Sequence, residues 1–195
     1  MIMKLGSPTI HLSVSSFELT WIWQKSITFR DANFHLICQH ATVFTFGHGA
    51  RLTYAKRFVN RHRIDRGGEI AYHDAGHLLF YALIPCQQLP LHLNALHSTA
   101  ASILRALRLH NYIFDQGIWL DQSKWMSIGI KLIRVHSRVH FLHGICLPIA
   151  SYLPPDFHPC HLPHAHLTSL ETYRPYVSCC QSRYCLSISA KQNFS

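Results

Sequence analysis

Acidic residues are few in this sequence: three Glu and six Asp stand among 195 residues, against 18 Lys plus Arg. The formal net charge is +9 and the charged fraction 14%, where soluble domains average about 25%. Such a surface lacks the mixed-sign charge that keeps ordinary domains apart. No CxxC pair occurs among the seven cysteines, so neither a zinc ribbon nor a regularly spaced disulfide scaffold is present. The sequence also lacks a clean membrane span. Its uncharged runs, 32–50 and 75–104, are broken by His, Gln, Asn, Gly or Pro, which favours buried segments over a bilayer crossing. No apolar core follows Lys4, so the N-terminus does not read as a secretory signal. What is abundant is histidine, at 17 residues, and apolar content, at 48%. The latter excludes disorder throughout.

The local patterns point to a small, poorly specified α+β fold. Ile10, Leu12 and Val14, then Phe17, Leu19, Trp21 and Trp23, alternate with period two and predict short N-terminal strands. Residues 34–46 predict a further strand. From Glu69 to about Ile84 the pattern reads as a helix ended by Pro85. A second helix runs from about Leu91 to His110, with Leu93, Leu96, Ala100, Ile103, Leu104 and Leu107 on one face. Residues 124–143 fit a helix or a strand. Two or three central helices are therefore expected in a single region, 1–147. The remainder, 148–195, is rich in Pro, His and Cys and reads as an irregular or disordered tail.

Three features carry candidate chemistry. In His73-Asp74-Ala75-Gly76-His77, two histidines at i and i+4 would project from one helix face and share a zinc ion. The stretch resembles the HEAGH helix of the membrane-anchored, ATP-driven FtsH family of zinc proteases. That resemblance implies His73 and His77 as metal ligands, with Asp74 where the family has its catalytic Glu. It is carried by the stretch from Ala71 to Leu79, with Pro85 where such helices can end, and no phosphate-binding GxxxxGKS or GxxxxGKT loop accompanies it. A second HxxxH pair, His136 and His140, matches what so much histidine gives by chance. The second feature is a C-terminal His/Cys cluster from which Cys160, His164, Cys180 and Cys185 could be drawn as a zinc site. The third is the basic run Arg51, Lys56, Arg57, Arg61, Arg63 and Arg66, with Tyr54 and Phe58 interleaved. Lys131, Arg134 and Arg138 form a smaller second set. Such charge favours non-specific adhesion to nucleic acid or acidic surfaces, without a helix-turn-helix, KH or RRM signature.

No GxSxG elbow or dinucleotide fingerprint is present. Composition rich in His and poor in acids also arises when a frame is read opposite a gene. The leading expectation is accordingly a basic, histidine-rich, dubious open reading frame with no assignable activity and no enzymatic role. A zinc-binding protein built on His73 and His77 or on the C-terminal cluster is the alternative, and a basic nucleic-acid-associated protein the third.

Overall fold

The segment expected to form the first central helix is a pair of strands. A computed structural model describes residues 8–28, 34–51, 58–85, 89–114, 117–135, 138–150, 154, 157 and 167–193. In chain order these give β1 (Thr9–Ser15), α1 (Phe17–Thr28), β2 (Phe34–His40), β3 (Val43–Phe46), β4 (Arg61–Arg63), β5 (Ile70–His73) and β6 (His77–Pro85). There follow α2 (Leu89–Ala106), β7 (Tyr112–Phe114), β8 (Gly117–Leu120), β9 (Ser123–Val135), β10 (Arg138–Pro148), a 3-10 turn at Leu170–Thr172 and α3 (Cys179–Asn193). Seven strands make a mixed sheet in the order β1-β2-β6-β10-β9-β8-β7, and three make a small sheet in the order β4-β3-β5. The expectation of a poorly specified fold is thus overturned.

The reason lies in the position of β6. It runs antiparallel between β2 and β10 and is covered on both faces. Leu78, Phe80, Ala82 and Ile84 join the core beneath α2 and α3, while Leu79 and Leu83 pack with Phe34, Leu36, Trp23 and Ile27 on the α1 side. A strand buried on both faces is apolar at every position, so it shows no alternation and imitates a buried helix. The ambiguous stretch 124–143 resolves as the long antiparallel pair β9–β10, in register from Val135–Arg138 to Ser127–Cys146.

Period two misled in the opposite direction at Phe17–Trp23. Ser16 caps α1, accepting a hydrogen bond from the Leu19 amide at 3.4 Å, with Glu18 in the first turn and Lys25 in the last. Phe17, Thr20 and Gln24 are the buried positions, whereas Leu19 is 69% exposed. The presumed tail also carries structure. Ser178 and Gln181 form a reciprocal capping box: the Gln181 amide donates to Ser178 Oγ at 3.2 Å and the Ser178 amide to Gln181 Oε1 at 3.2 Å. The helix that follows, α3, buries Leu186 and Ala190 completely in the main core against Leu96, Ala100, Ile103 and Leu104 of α2. No helix among the described residues is long and apolar enough to cross a membrane.

Much of the histidine is interior. His35 on β2 and His92 on α2 are each held to a pKa of about 4 by burial, and burial lowers His40 as well. A group whose folded pKa lies below its unfolded value stabilises fully above the unfolded pKa, and that stability fades as pH falls toward the folded one. The window here is from about pH 6.5 down to about 4. If two pKa units of this linkage are realised, acidification costs about 3 kcal/mol, or roughly 6–12 °C of Tm. Thermal melts at pH 7.5, 6 and 5 should show a progressive fall; a flat Tm would mean these imidazoles reach solvent.

Candidate active site

The two sheets meet where β5 hands over to β6. Instead of lying on a helix, His73 ends β5 and His77 opens β6, with a tight turn between them. Asp74 builds that turn: its Oδ1 accepts the Gly76 amide at 2.7 Å, its Oδ2 accepts the Tyr72 hydroxyl at 3.1 Å, and its carbonyl accepts the His77 amide at 3.1 Å. Burial, and secondarily Asp74, push the Tyr72 phenol up to about 12. The Gly76 carbonyl accepts the amides of Ile149 at 2.9 Å and Ala150 at 3.1 Å, pinning the turn to the end of β10. The protease resemblance fails here, because its chemistry requires a helix and this carboxylate is committed to the turn.

A second bridge is the loop Arg66-Gly67-Gly68. The Arg66 guanidinium donates to the Thr45 carbonyl and the Gly67 carbonyl, both at 2.9 Å, and the Gly67 amide donates to Ile130 of β9 at 3.4 Å. Gly68 has φ +75°, a left-handed conformation that suits glycine. The Gly49 amide donates to its carbonyl at 3.0 Å. Other members of the basic run behave alike: Arg61 donates to the Phe58 carbonyl, and Arg63 to those of Ala50 and His48. These arginines organise a loop rather than a free basic face; Lys56 and Arg57 lie outside the described residues.

Between these bridges the large sheet is hollowed. Gly129 and Gly144 face each other across β9 and β10. A Cβ on Gly144 would lie 2.8 Å from the Tyr81 ring, and one on Gly129 would lie 2.9 Å from Arg66 Cδ. The missing side chains admit that ring and that arginine. All four residues line a cavity of about 1040 Å³, at the top of the range for small-molecule sites, about 300–1,000 Å³. Its floor is apolar, with Leu79, Ile133 and Leu142, and its cations are Lys25, Arg66, Lys124, Lys131 and Arg134. Lys131 pairs with Asp65 at 2.7 Å, an interaction that lowers the Asp65 pKa. Lys25 lies over the Trp21 ring at 3.7 Å. Lys124 is fixed by its backbone: it pairs with Trp119 of β8, and its carbonyl accepts the Thr168 amide at 3.1 Å.

His73 and His77 both line this cavity, and Cys146 of β10 joins them. The C-terminal zinc set is not brought together among the described residues. Cys180 is exposed and Cys185 partly buried on α3; Cys160 and His164 lie outside the described residues.

The chain matches the model of the lipoyl protein ligase A/B catalytic domain over residues 18–171. It belongs to that family. It is 30% identical over 155 residues to a protein of Cyanidium caldarium named probable octanoyltransferase, covering 71% of each chain. It is 28% identical over 177 residues to an octanoyltransferase of Nostoc sp., covering 80% of this chain and 78% of the relative. Among solved structures it resembles lipoate-protein ligase A bound with ATP, with a TM-score of 0.76 at 16% identity, covering 97% of this chain and 85% of that one. It resembles a bi-partite lipoate protein ligase from Thermoplasma acidophilum with a TM-score of 0.73 at 14% identity, over 96% and 83% of the two chains.

Membership of a catalytic-domain family over most of the chain overturns the unselected-frame reading and the expectation of no enzymatic role. It also displaces zinc binding and nucleic-acid association as accounts of what the protein does. Sequence pattern alone singled out neither Lys124 nor Gly67-Gly68. An arginine followed by two glycines directly ahead of an apolar strand was the signal available.

Proposed function

We propose that this protein transfers a medium-chain acyl group, octanoyl by the names of its sequence relatives, from a thioester donor to an amine of an acceptor protein. The observation that carries the reading is the cavity: about 1040 Å³, partly lined by apolar side chains, flanked by the two bridges and rimmed by cations. The family match supplies the chemistry class. In such a transfer the acceptor nitrogen attacks the thioester carbonyl. A C–N bond forms, the C–S bond breaks, and the amine proton passes to the departing thiolate. Negative charge gathers on the carbonyl oxygen in between, and fixed cations or N–H donors lower that barrier most. Lys124, held by its backbone on the cavity wall, is the ammonium we assign to that oxygen.

The test supplies the purified chain with a lipoyl domain as acceptor, since a lipoate ligase of the same fold is described together with its E2 lipoyl domain. One arm adds an octanoyl thioester and the other octanoate with ATP. Mass spectrometry of the acceptor should show one added octanoyl group in the thioester arm. Modification only in the ATP arm would replace transfer by ligation, and modification in neither would overturn the reading.

A further inference from the structure

We propose that His73, His77 and Cys146 form a site for a soft metal ion, with zinc as the reference ion, on the wall of the acyl cavity. The three side chains come from three strands, and their ligand atoms lie within 4.8 Å of one another. Cys146 Sγ is 3.4 Å from His77 Nδ1. A tetrahedral zinc with bonds of about 2.3 Å to sulfur and 2.0–2.1 Å to nitrogen sets its ligand atoms about 3.6 Å apart, inside that 4.8 Å spread; His77 Nδ1 also faces the Tyr72 carbonyl, so Nε2 is the nitrogen left to ligate. Thiolate with imidazole is the donor set that zinc and copper(I) prefer over magnesium or calcium.

A further observation points to a ligand. His73 Nδ1 and His77 Nε2 are buried and have no hydrogen-bond partner among the described residues, a state that costs free energy unless something binds there.

The scaffold is rigid where it must be. His77 Nδ1 is 3.1 Å from the Tyr72 carbonyl, His73 Nε2 is 3.4 Å from Thr45 Oγ1, and His77 pairs with Pro148 two residues beyond Cys146 on β10. Cys146 ligates as thiolate, so the metal must displace the thiol proton. One proton leaves the thiol for solvent per ion bound, and affinity rises with pH. Three protein ligands leave a fourth position facing the cavity. An ion there sits where an acyl chain would pass, and it would make metal and acyl group competitors. That consequence, unlike the site itself, rests on the transfer reading.

The test is a cobalt(II) titration of the full chain after chelator treatment, followed by visible and near-ultraviolet absorption. The expected result is one equivalent bound, with a thiolate-to-cobalt charge-transfer band that vanishes in Cys146→Ala. His77→Asn should weaken binding at least tenfold. Cys146→Ala removes only a thiol from a cavity wall, and circular dichroism melts confirm that it is folded. A folded parent that binds no cobalt overturns the proposal, as does a band unchanged in folded Cys146→Ala, which would place the ion on other cysteines. A chain that binds cobalt as described yet fails every acyl-transfer arm keeps the metal site and loses only the transfer reading.

Discussion

Replacing Gly76 with alanine is expected to destabilise the chain by about 4 kcal/mol, lowering Tm by roughly 8–16 °C. The added Cβ would fall 1.3 Å from the Ala150 carbonyl oxygen and 2.4 Å from its carbon. Backbone cannot yield as a flexible side chain does. To relieve the overlap, the end of β10 must withdraw and break the two hydrogen bonds that the Gly76 carbonyl accepts from Ile149 and Ala150. Each such bond contributes about 0.5–1.5 kcal/mol, and more where a buried group is left unpaired. Ile149 is fully buried in the main core, so its packing shifts as well. The Trp125 indole donates to the Pro148 carbonyl at 2.7 Å in the same corner and would be strained by the movement. Gly67→Ala is the control, because a Cβ there meets nothing closer than the Ile130 oxygen at 3.7 Å. Melts that leave Gly76→Ala within 2 °C or so of the parent would show that the β5–β6 turn does not press on β10.

The same corner explains what could and could not be read from sequence. Local signals were sufficient for α2, whose apolar face repeats at three- and four-residue steps, and for β1; over 34–46 they gave strand character but one strand, where the chain forms β2 and β3 in two different sheets. They were present but passed over at Ser178–Gln181, where a capping box announced α3 inside a stretch that composition alone marked as tail. They misled at β6, because burial on both faces erases the alternation that distinguishes a strand. The histidines illustrate a deeper limit. His73 and His77 are four apart in sequence, and they do come close. The pairing arises from a turn between two sheets, and Cys146, their neighbour, enters from β10. No spacing rule contains that third residue, since it depends on the β6–β10 register. The cavity was equally hidden. Gly129 and Gly144 are fifteen positions apart, and only their pairing across two strands sets the two absent side chains side by side, where the Tyr81 ring and Arg66 come in to line the cavity. The scarcity of acids, read as a mark of an unselected frame, has a structural counterpart: several arginines bind backbone carbonyls in place of carboxylates.

Lys124→Met is expected to lower kcat/KM for acyl transfer by about 10²–10³-fold while leaving the fold intact. That range is the loss seen when one donor to a developing oxyanion is removed from a preorganised site. Methionine keeps an unbranched apolar stem and deletes only the ammonium. The stem has a defined seat: a Cβ at Gly117 would stand 2.7 Å from Lys124 Cε and 3.5 Å from Nζ, so the glycine leaves room for the lysine to lie across β8. The pairing with Trp119 and the bond from the Thr168 amide hold its Cα in place whichever side chain is present. Melting within 2 °C or so of the parent would confirm that the change is local. Affinity for octanoate, read by calorimetry, should persist because the apolar floor is untouched. The loss should then fall on kcat rather than KM, the pattern of an interaction made only in the transition state. Lys124→Arg tests geometry against charge: a planar guanidinium cannot reproduce the compact point charge of an ammonium in the same seat, so it should recover only part of the rate. If Lys124→Met retains more than about a third of the parent kcat with the fold unchanged, a deficit of less than about 0.7 kcal/mol in transition-state binding, then Lys124 is not the group that meets the acyl oxygen. The assignment would then pass to the other cations on the cavity wall, Arg66 and Arg134.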